Sequence, residues 1–176
     1  MTEAQLSNAM DAYGSTVYRL ALTRMQNIAD AEDVYQEVFL RLWKQAAEED
    51  WDGDRAKAWL IRTTLNRCAD LHRFRLRRPV LSFAEIPDLA QPEDESRELW
   101  EAVSRLPEKA RTAVHLYYAE GYSAEEISQL MHIPAATVRT RLHRARKQLK
   151  ELLGGIDDET CVSRSDGTNF GPQRAE

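Results

Sequence analysis

The sequence is poor in the residues that interrupt helices or cross-link chains. Its 176 residues include seven Gly, six Pro and two Cys. So few turn-forming residues argue against a low-complexity chain or a β-sandwich. The cysteines, Cys68 and Cys161, show no disulfide pattern and suit a reducing compartment. Because 43% of the residues are hydrophobic, packed cores are possible, and the sequence predicts an all-α protein.

Signals for membranes and secretion are also lacking. No apolar run reaches the length that a bilayer span needs. The first residues, Met-Thr-Glu-Ala-Gln, contain neither the basic nor the apolar part of a secretory signal. We therefore expect a cytoplasmic protein without direct membrane insertion.

The spacings typical of catalytic and metal sites are missing. Cys68 and His72 stand four residues apart on a predicted helix, which is half of a metal site, but no second pair follows. A buried thiol beside a surface imidazole is the simpler interpretation. There is no glycine-rich phosphate loop and no nucleophile elbow. We therefore expect no catalytic residues, no metal, no cofactor and no enzymatic activity.

Charge is segregated along the chain. The overall net charge of −5 would by itself argue against a nucleic-acid ligand. However, residues 30–50 carry a net charge of −5, residues 54–78 of +6, residues 79–101 of −6 and residues 134–153 of +5. This pattern predicts two basic helices that contact DNA, separated by an acidic connector.

Helical periodicity and helix breakers predict the domain organisation. The predicted helices before residue 121 cover 2–26, 31–47, 55–76, 95–105 and 107–120. Gly14 is expected to weaken the first helix and mark a break, and Asp30 to cap the second. We predict two small helical domains, 1–78 and 95–153, joined by an acidic flexible linker at 79–94. The polar, unpatterned tail at 154–176 is predicted to be disordered.

Residues 121–150 predict a helix-turn-helix within the second domain. Ser123 and Glu126 form a capping-box pattern, His132 and Ile133 fit the turn, and Pro134 fits the first turn of the next helix. In such motifs the second helix enters the major groove, and its N-terminal residues read bases. The alternative is a solvated basic face on a core helix. The candidate base readers are Thr137, Arg139, Thr140, Arg141 and His143, and the candidate phosphate contacts are Arg144, Arg146, Lys147 and Lys150.

Three further segments resemble a known family. The segment Asp30-Ala-Glu-Asp-Val-Tyr-Gln-Glu-Val-Phe-Leu-Arg-Leu-Trp43 resembles the core-binding helix of bacterial extracytoplasmic-function sigma factors. Residues 58–78 resemble the promoter-melting segment of that family. Leu106-Pro-Glu-Lys-Ala-Arg111, together with residues 122–146, resembles its fourth region. The resemblance covers about residues 5–153.

The resemblance implies roles for particular residues. Asp33, Gln36 and Glu37 match positions that contact a coiled coil of the polymerase β′ subunit, although alone they would be interpreted as a solvated face. Asn66 matches a position near the captured base of the −10 element. Trp51 matches the loop around that base, or is a core anchor. The arginines expected to follow the −10 DNA are Arg62, Arg67, Arg73, Arg75, Arg77 and Arg78.

The resemblance also implies a function and partners. The chain would be a sigma factor that binds the β′ and β subunits of core RNA polymerase and directs initiation at −10 and −35 promoter elements. An anti-sigma factor is expected as a further partner. The acidic linker would thread toward the RNA exit path, or serve only as a solubilising tether.

Two other classes of protein remain as alternatives. A stand-alone helix-turn-helix transcriptional regulator would need a sensing domain, usually with strands, and residues 1–78 show no strand pattern. A helical nuclease would need clustered metal-binding carboxylates or histidines, and none is evident in the sequence.

Overall fold

The computed structural model describes residues 2–45, 53–77 and 94–154. These ranges are helical and contain no strand, so the predicted all-α class is confirmed. None of the helices described there is both long and apolar enough to cross a bilayer. In chain order the helices are α1 (Glu3–Met25), α2 (Ile28–Gln45), α3 (Gly53–Arg77), α4 (Asp94–Ser104), α5 (Glu108–Val114), a π-helical turn (His115–Ala119), α6 (Ala124–Met131) and α7 (Ala135–Leu152).

Helices α1, α2 and α3 pack around one apolar cluster. Their inward faces contribute residues at helical spacing, including Val17, Val34, Val38, Leu42 and Leu60. Helix α1 begins with a capping box between Thr2 and Gln5, which satisfies two exposed backbone donors. The cluster excludes water from one face of each helix, and this burial is the main stabilising term for such a bundle.

The expected break at Gly14 is wrong, because α1 runs through this residue without interruption. Gly14 is buried against α2, and a Cβ atom added to it would lie 3.0 Å from the Tyr35 hydroxyl oxygen. The glycine therefore permits a close approach between the two helices. Its missing side chain makes room for the neighbouring tyrosine rather than ending the helix.

The expected cap at Asp30 is also wrong. Helix α2 begins at Ile28, three residues earlier than predicted, because Asn27 supplies the cap: its side-chain oxygen accepts from the Asp30 backbone N–H at 3.0 Å. The Asp30 side chain is free for another role and forms an ion pair with Arg75 of α3. A residue interpreted as a local cap is therefore a tertiary link between the start of α2 and the end of α3.

The helix-turn-helix forms as predicted. Ser123 and Glu126 make the reciprocal bonds of a capping box at the start of α6. His132 ends α6 in the left-handed conformation, with φ of 53°. Pro134 lies one residue before the first helical residue of α7 rather than inside its first turn, and Gly154 follows α7 with φ of 73°. Residues within the motif therefore determine where its helices begin and end.

The N-terminal and C-terminal helices share part of a core, which the sequence did not predict. Leu20 of α1 and Ile61 and Leu65 of α3 belong to the same buried cluster as Leu116 and Ile127. The two helical groups are therefore packed against each other. The predicted acidic linker, apart from Asp94 at the start of α4, and the predicted tail, apart from Gly154, lie outside the described residues.

Candidate protein and DNA interfaces

The outer face of α2 carries the residues expected to contact polymerase. Asp33 and Gln36 are exposed and Glu37 is half-buried, and helical spacing places all three on one face. Glu37 accepts a hydrogen bond from Arg41 at 2.9 Å, and this bond lowers the pKa of the Glu37 carboxyl, against a smaller opposing effect of burial. The carboxylate is therefore charged at neutral pH and can pair with a basic partner.

Two large apolar side chains extend this face, and sequence reasoning missed their exposure. Leu40 is 53% exposed and Trp43 is 41% exposed. Leu40 follows Glu37 by three residues and Asp33 by seven, so helical spacing alone could have placed it on the same face. Exposed apolar residues beside charged ones are typical of a protein-binding surface.

Asn66, a candidate for the −10 element, lines an open depression of about 470 Å³. Trp59 and Thr63 of α3 follow the same helical face as Asn66, while α2 contributes three polar residues from the opposite side. The lining residues are Arg41, Lys44, Gln45, Trp59, Thr63 and Asn66. The structure thus combines an amide, an aromatic ring and two cationic side chains, a grouping that the sequence did not predict.

The other −10 candidates have different surroundings. Trp51 lies outside the described residues. Arg62 is exposed and Arg67 is half-buried, with an Nε atom that is buried and lacks a hydrogen-bond partner. Arg73 forms an ion pair with Asp70 within α3. The structure therefore does not bring these arginines into the lining of the depression.

The resemblance also associated Arg75, Arg77 and Arg78 with the −10 DNA. Arg75 pairs with the buried Asp30 and so links α3 to α2. Arg77 is the last residue of α3, and Arg78 lies outside the described residues.

Helix α7 presents most of the candidate −35 readers away from its core face. Val138, Leu142 and Ala145 are buried and form that core face. Arg139 pairs with Glu125 of α6, and the Thr140 hydroxyl donates to the Ala136 carbonyl at 2.9 Å. Thr137 and Arg141 are half-buried, and the exposed candidates are Arg139, Thr140, His143 and Arg144.

The described residues contain no group of three or more His, Cys, Asp or Glu side chains that could hold a metal ion. Cys68 is fully buried, and burial raises the pKa of its thiol to about 12. The thiol is therefore protonated and poorly suited to metal binding or nucleophilic chemistry. This agrees with the interpretation of Cys68 as a core residue.

Comparison with known proteins decides the family. Residues 9–78 match Sigma-70 region 2, and residues 96–149 match Sigma-70, region 4. The chain is 31% identical over 156 residues to the ECF RNA polymerase sigma factor SigM of Bacillus subtilis, covering 84% of this chain and 94% of that protein. The chain belongs to the extracytoplasmic-function sigma factors. We call residues 9–78 region 2 and residues 96–149 region 4.

Another relative agrees with this assignment, and a solved structure has a similar fold. The ECF RNA polymerase sigma factor SigE of Mycolicibacterium smegmatis is 34% identical over 162 residues, covering 86% of this chain but only 62% of that protein. The sigma factor RpoE of Bartonella quintana, solved in complex with the anti-sigma factor NepR, has a similar fold. Its TM-score is 0.72 at 23% identity, covering 87% of this chain and 99% of that chain.

Membership in this family favours the sigma factor over the stand-alone regulator. Region 2 covers the N-terminal part of the chain, where a stand-alone regulator would need a sensing domain. Region 4 contains the helix-turn-helix. Sigma factors are initiation factors rather than enzymes, in agreement with the expected lack of a catalytic site. Within the chain, the −10 candidate Asn66 lies in region 2 and the −35 candidates of α7 lie in region 4.

Proposed function

We propose that this sigma factor binds core RNA polymerase through the outer face of α2, captures an unpaired −10 base in the depression beside Asn66, and reads the −35 duplex with α7. The depression carries the proposal, because it places cationic side chains of α2 beside an aromatic ring and an amide on the helix that resembles the promoter-melting segment. The polymerase-binding face and the depression adjoin on α2, where Arg41 of the depression bonds Glu37, whereas α7 forms a separate surface.

The outer face of α2 is suited to a basic partner helix. Asp33 and Glu37 supply negative charge, and Leu40 and Trp43 supply apolar area that water would otherwise cover. Charged groups around an apolar centre steer association and fix the register of a complex. The proposed partner is the β′ subunit, with β as a second polymerase contact.

The depression is suited to one unpaired base. Its volume of about 470 Å³ falls within the range of small-ligand sites, roughly 300–1,000 Å³. Asn66 can hydrogen-bond a base edge, Trp59 can contact a base face, and Arg41 and Lys44 can neutralise phosphates. Base capture stabilises melted DNA by about 1–3 kcal/mol for each stacked base. Trp51, Arg62, Arg67 and Arg73 are proposed to contact the DNA nearby.

Helix α7 is suited to the major groove. Thr137, Arg139, Thr140, Arg141 and His143 lie in its N-terminal half, where a recognition helix meets base edges. Arg144 follows one turn after Thr140, and we place it on the phosphate backbone or at the edge of the base-reading surface.

We further propose that the chain acts in the cytoplasm and is held inactive by an anti-sigma factor. The cytoplasmic location follows from its proposed partners, polymerase and promoter DNA. The anti-sigma partner is proposed because the family includes many members regulated in this way, and the fold relative RpoE was solved with one.

Reconstituted transcription tests the proposal. Bacterial core polymerase and a library of promoter-like DNA are incubated with and without the protein, and transcripts are sequenced. We expect initiation at a defined pair of elements only when the protein is present. If polymerase is not bound and no start site appears, while α7 still binds DNA, the proposal is wrong and the stand-alone regulator is favoured.

Substitution of Asp33 and Glu37 by Ala tests the polymerase-binding surface. We expect polymerase affinity to fall about tenfold or more, because two charges are lost from the contact. A control variant with Glu3 and Asp11 of α1 changed to Ala removes the same charge from another exposed surface. Equal loss of affinity in both variants would show that overall charge, not the α2 face, determines binding.

A further inference from the structure

Two of the proposed surfaces share one pair of side chains on α2. Glu37 belongs to the face proposed for polymerase, and Arg41, one turn later, lines the depression proposed for the −10 base. The Glu37 Oε1 atom accepts a hydrogen bond from Arg41 Nε at 2.9 Å. The two side chains are 38% and 41% exposed, so each remains accessible to a partner while they contact each other. The pair therefore lies at the boundary between the two surfaces.

The atoms that form this pair determine what Arg41 can still bind. A guanidinium donates from Nε and from two terminal nitrogens, and the terminal nitrogens form the fork that matches a phosphate. The bond to Glu37 occupies Nε and leaves Nη1 and Nη2 for an anion. The Arg139–Glu125 pair differs, because it occupies the terminal nitrogen Nη2 of Arg139. Glu37 thus restrains Arg41 without occupying its phosphate-binding end, whereas Glu125 competes for that end of Arg139.

The Glu37 carboxylate stays charged because it lies among cations. The hydrogen bond from Arg41 is the largest cause of its lowered pKa, and the charges of Arg41, Arg67 and Lys44 lower it further, against the opposing effect of burial. Lys44 also lines the depression, and Arg67 follows Asn66 by one residue. A charged acceptor forms a stronger hydrogen bond than a neutral one. The carboxylate can therefore hold the guanidinium at neutral pH while positive charge remains in excess around it.

We propose that Glu37 is a positioning residue for DNA: it orients Arg41 so that the terminal nitrogens of the guanidinium bind a phosphate beside the captured −10 base. This role rests on the base capture proposed above. An arginine loses rotamer freedom when it binds a ligand, and a side chain that is already held in place loses less of it. The phosphate contact anchors the strand but reads no sequence. Glu37 serves two partners, since a carboxylate accepts several hydrogen bonds and can also meet a cation of polymerase.

The charge of Glu37 and its orienting role predict opposite effects of substitution. If Glu37 acted only through its negative charge, its removal would strengthen DNA binding, because DNA is itself negative. If Glu37 orients Arg41, loss of its acceptor oxygen weakens binding. Glu37→Gln removes the charge but keeps an acceptor oxygen for Arg41 Nε, whereas Glu37→Met removes both at a similar side-chain length. The comparison of these two variants therefore isolates the orienting role.

Binding of the free full-length chain to single-stranded DNA tests the proposal without polymerase. The strand carries the −10 element found by reconstituted transcription, and fluorescence anisotropy of a labelled oligonucleotide gives its affinity at several salt concentrations. We expect Glu37→Met to bind at least about threefold more weakly than Glu37→Gln. Arg41→Gln should reduce the slope of log affinity against log salt by about 0.7, the value for one phosphate contact to a single strand, and Glu37→Met by part of that amount.

Matched variants separate orientation of Arg41 from other effects. In chains that also carry Arg41→Gln, the difference between Glu37→Gln and Glu37→Met should disappear, because no guanidinium remains to be oriented. Glu32→Met makes the same change at another exposed glutamate of α2 and should not weaken binding. Circular dichroism of each variant shows whether its helix content is kept, so that a loss of folding is not mistaken for a loss of the phosphate contact.

Two results would overturn the role of Glu37 alone: equal affinities of Glu37→Gln and Glu37→Met, or a difference between them that persists after Arg41→Gln. The proposed function fails in another way, when no initiation appears in transcription. A pool of random single-stranded oligonucleotides then replaces the −10 strand, because a phosphate contact does not depend on sequence. If the unaltered chain binds no single strand of either kind, the role of Glu37 is wrong as well.

Discussion

Helices α5 and α7 both belong to region 4 and both carry arginines, but they use them in opposite ways. Arg111 of α5 is buried and donates to four backbone carbonyls in two domains. Arg139 and Arg144 of α7 are exposed, and Arg139 pairs with a glutamate that is itself exposed. The buried arginine holds the fold together, whereas the exposed arginines remain available to a ligand.

This comparison shows that residue type alone does not identify a DNA contact. Burial and the number of fixed partners separate the two roles, because a buried cation without its partners destabilises the fold and an exposed one does not. Substitutions in α5 should therefore change stability, and substitutions in α7 should change DNA binding.

Arg111→Ala should lower the free energy of unfolding by about 3 kcal/mol or more. Four carbonyl groups would lose a charged donor, two of them in buried hydrogen bonds and two in partly buried ones, and unsatisfied buried groups are costly. Urea unfolding followed by circular dichroism measures the change. Arg105→Ala, at an exposed position of the same region, is the control and should change stability by less than about 0.5 kcal/mol. Similar losses in both variants would contradict a structural role for Arg111.

Acidification should destabilise the fold through His115, which is buried where region 4 contacts Thr23 of region 2. Burial lowers the pKa of His115 from 6.5 to about 4; nearby Glu120 opposes this shift and Arg19 adds to it. Between pH 6.5 and about 4 the unfolded chain binds a proton that the folded chain excludes, so stability is lost as pH falls. The loss is about 1.4 kcal/mol per pH unit, or on the order of 3 kcal/mol in total.

Unfolding measured at several pH values checks this prediction. His115→Gln should flatten the pH dependence over that interval, because the variant has no imidazole to protonate. His143→Gln, which changes an exposed histidine of α7, should leave the dependence as it is. Identical pH profiles for the unaltered chain and His115→Gln would exclude this role for His115.

The sequence predicted features that depend on neighbouring residues. The capping box of Ser123 and Glu126 requires only residues three apart, and it formed as expected. Tertiary features were missed: the Asp30 carboxylate pairs with Arg75 of α3, and Gly14 lets Tyr35 of α2 pack closely against α1. Each of these contacts involves another helix, so no local pattern could have indicated it. The cap at Asn27, in contrast, depends on residues three apart and could have been found locally.

In the candidate sites, too, some features follow from spacing along one helix and others depend on how the helices pack. Helical spacing could have grouped Trp59 and Thr63 with Asn66, because i, i+4 and i+7 share one helix face. Arg41 and Lys44 complete the depression only because α2 packs beside α3. The link of Glu120 to region 2 was equally hidden, since its partner Thr16 lies 104 residues away. Sequence reasoning therefore found residues and faces on single helices, but not the surfaces that two helices form together.

The combined change of Arg139 and Arg141 to Ala should weaken −35 recognition and spare stability. We expect a loss of about 2 kcal/mol in binding, or roughly thirtyfold in affinity, because base-edge contacts are removed. Binding of the full-length chain to duplexes with intact and altered −35 elements measures this. Changing Arg146 and Lys147 to Ala is the control and should weaken binding to both duplexes equally, as expected for phosphate contacts. Unchanged preference in the first variant would contradict base reading.

Glu125→Gln gives the smallest and most specific test of α7. Glu125 pairs with Arg139 at the surface, and exposed pairs contribute at most about 1 kcal/mol to stability. Removal of this ion pair should nevertheless raise the affinity for the −35 element about two- to threefold. The reason is that the Arg139 guanidinium no longer has to break an ion pair before it binds DNA.

Removing any acid near DNA also raises affinity through the general field, and Glu126→Gln measures that contribution. Glu126 lies one residue away, is exposed and contacts Ser123 rather than an arginine. Only the amount by which Glu125→Gln raises DNA affinity more than Glu126→Gln does reports on Arg139. If that excess appears on the intact −35 duplex and disappears on an altered one, Arg139 reads a base. An equal excess on both duplexes would place Arg139 on the phosphate backbone instead.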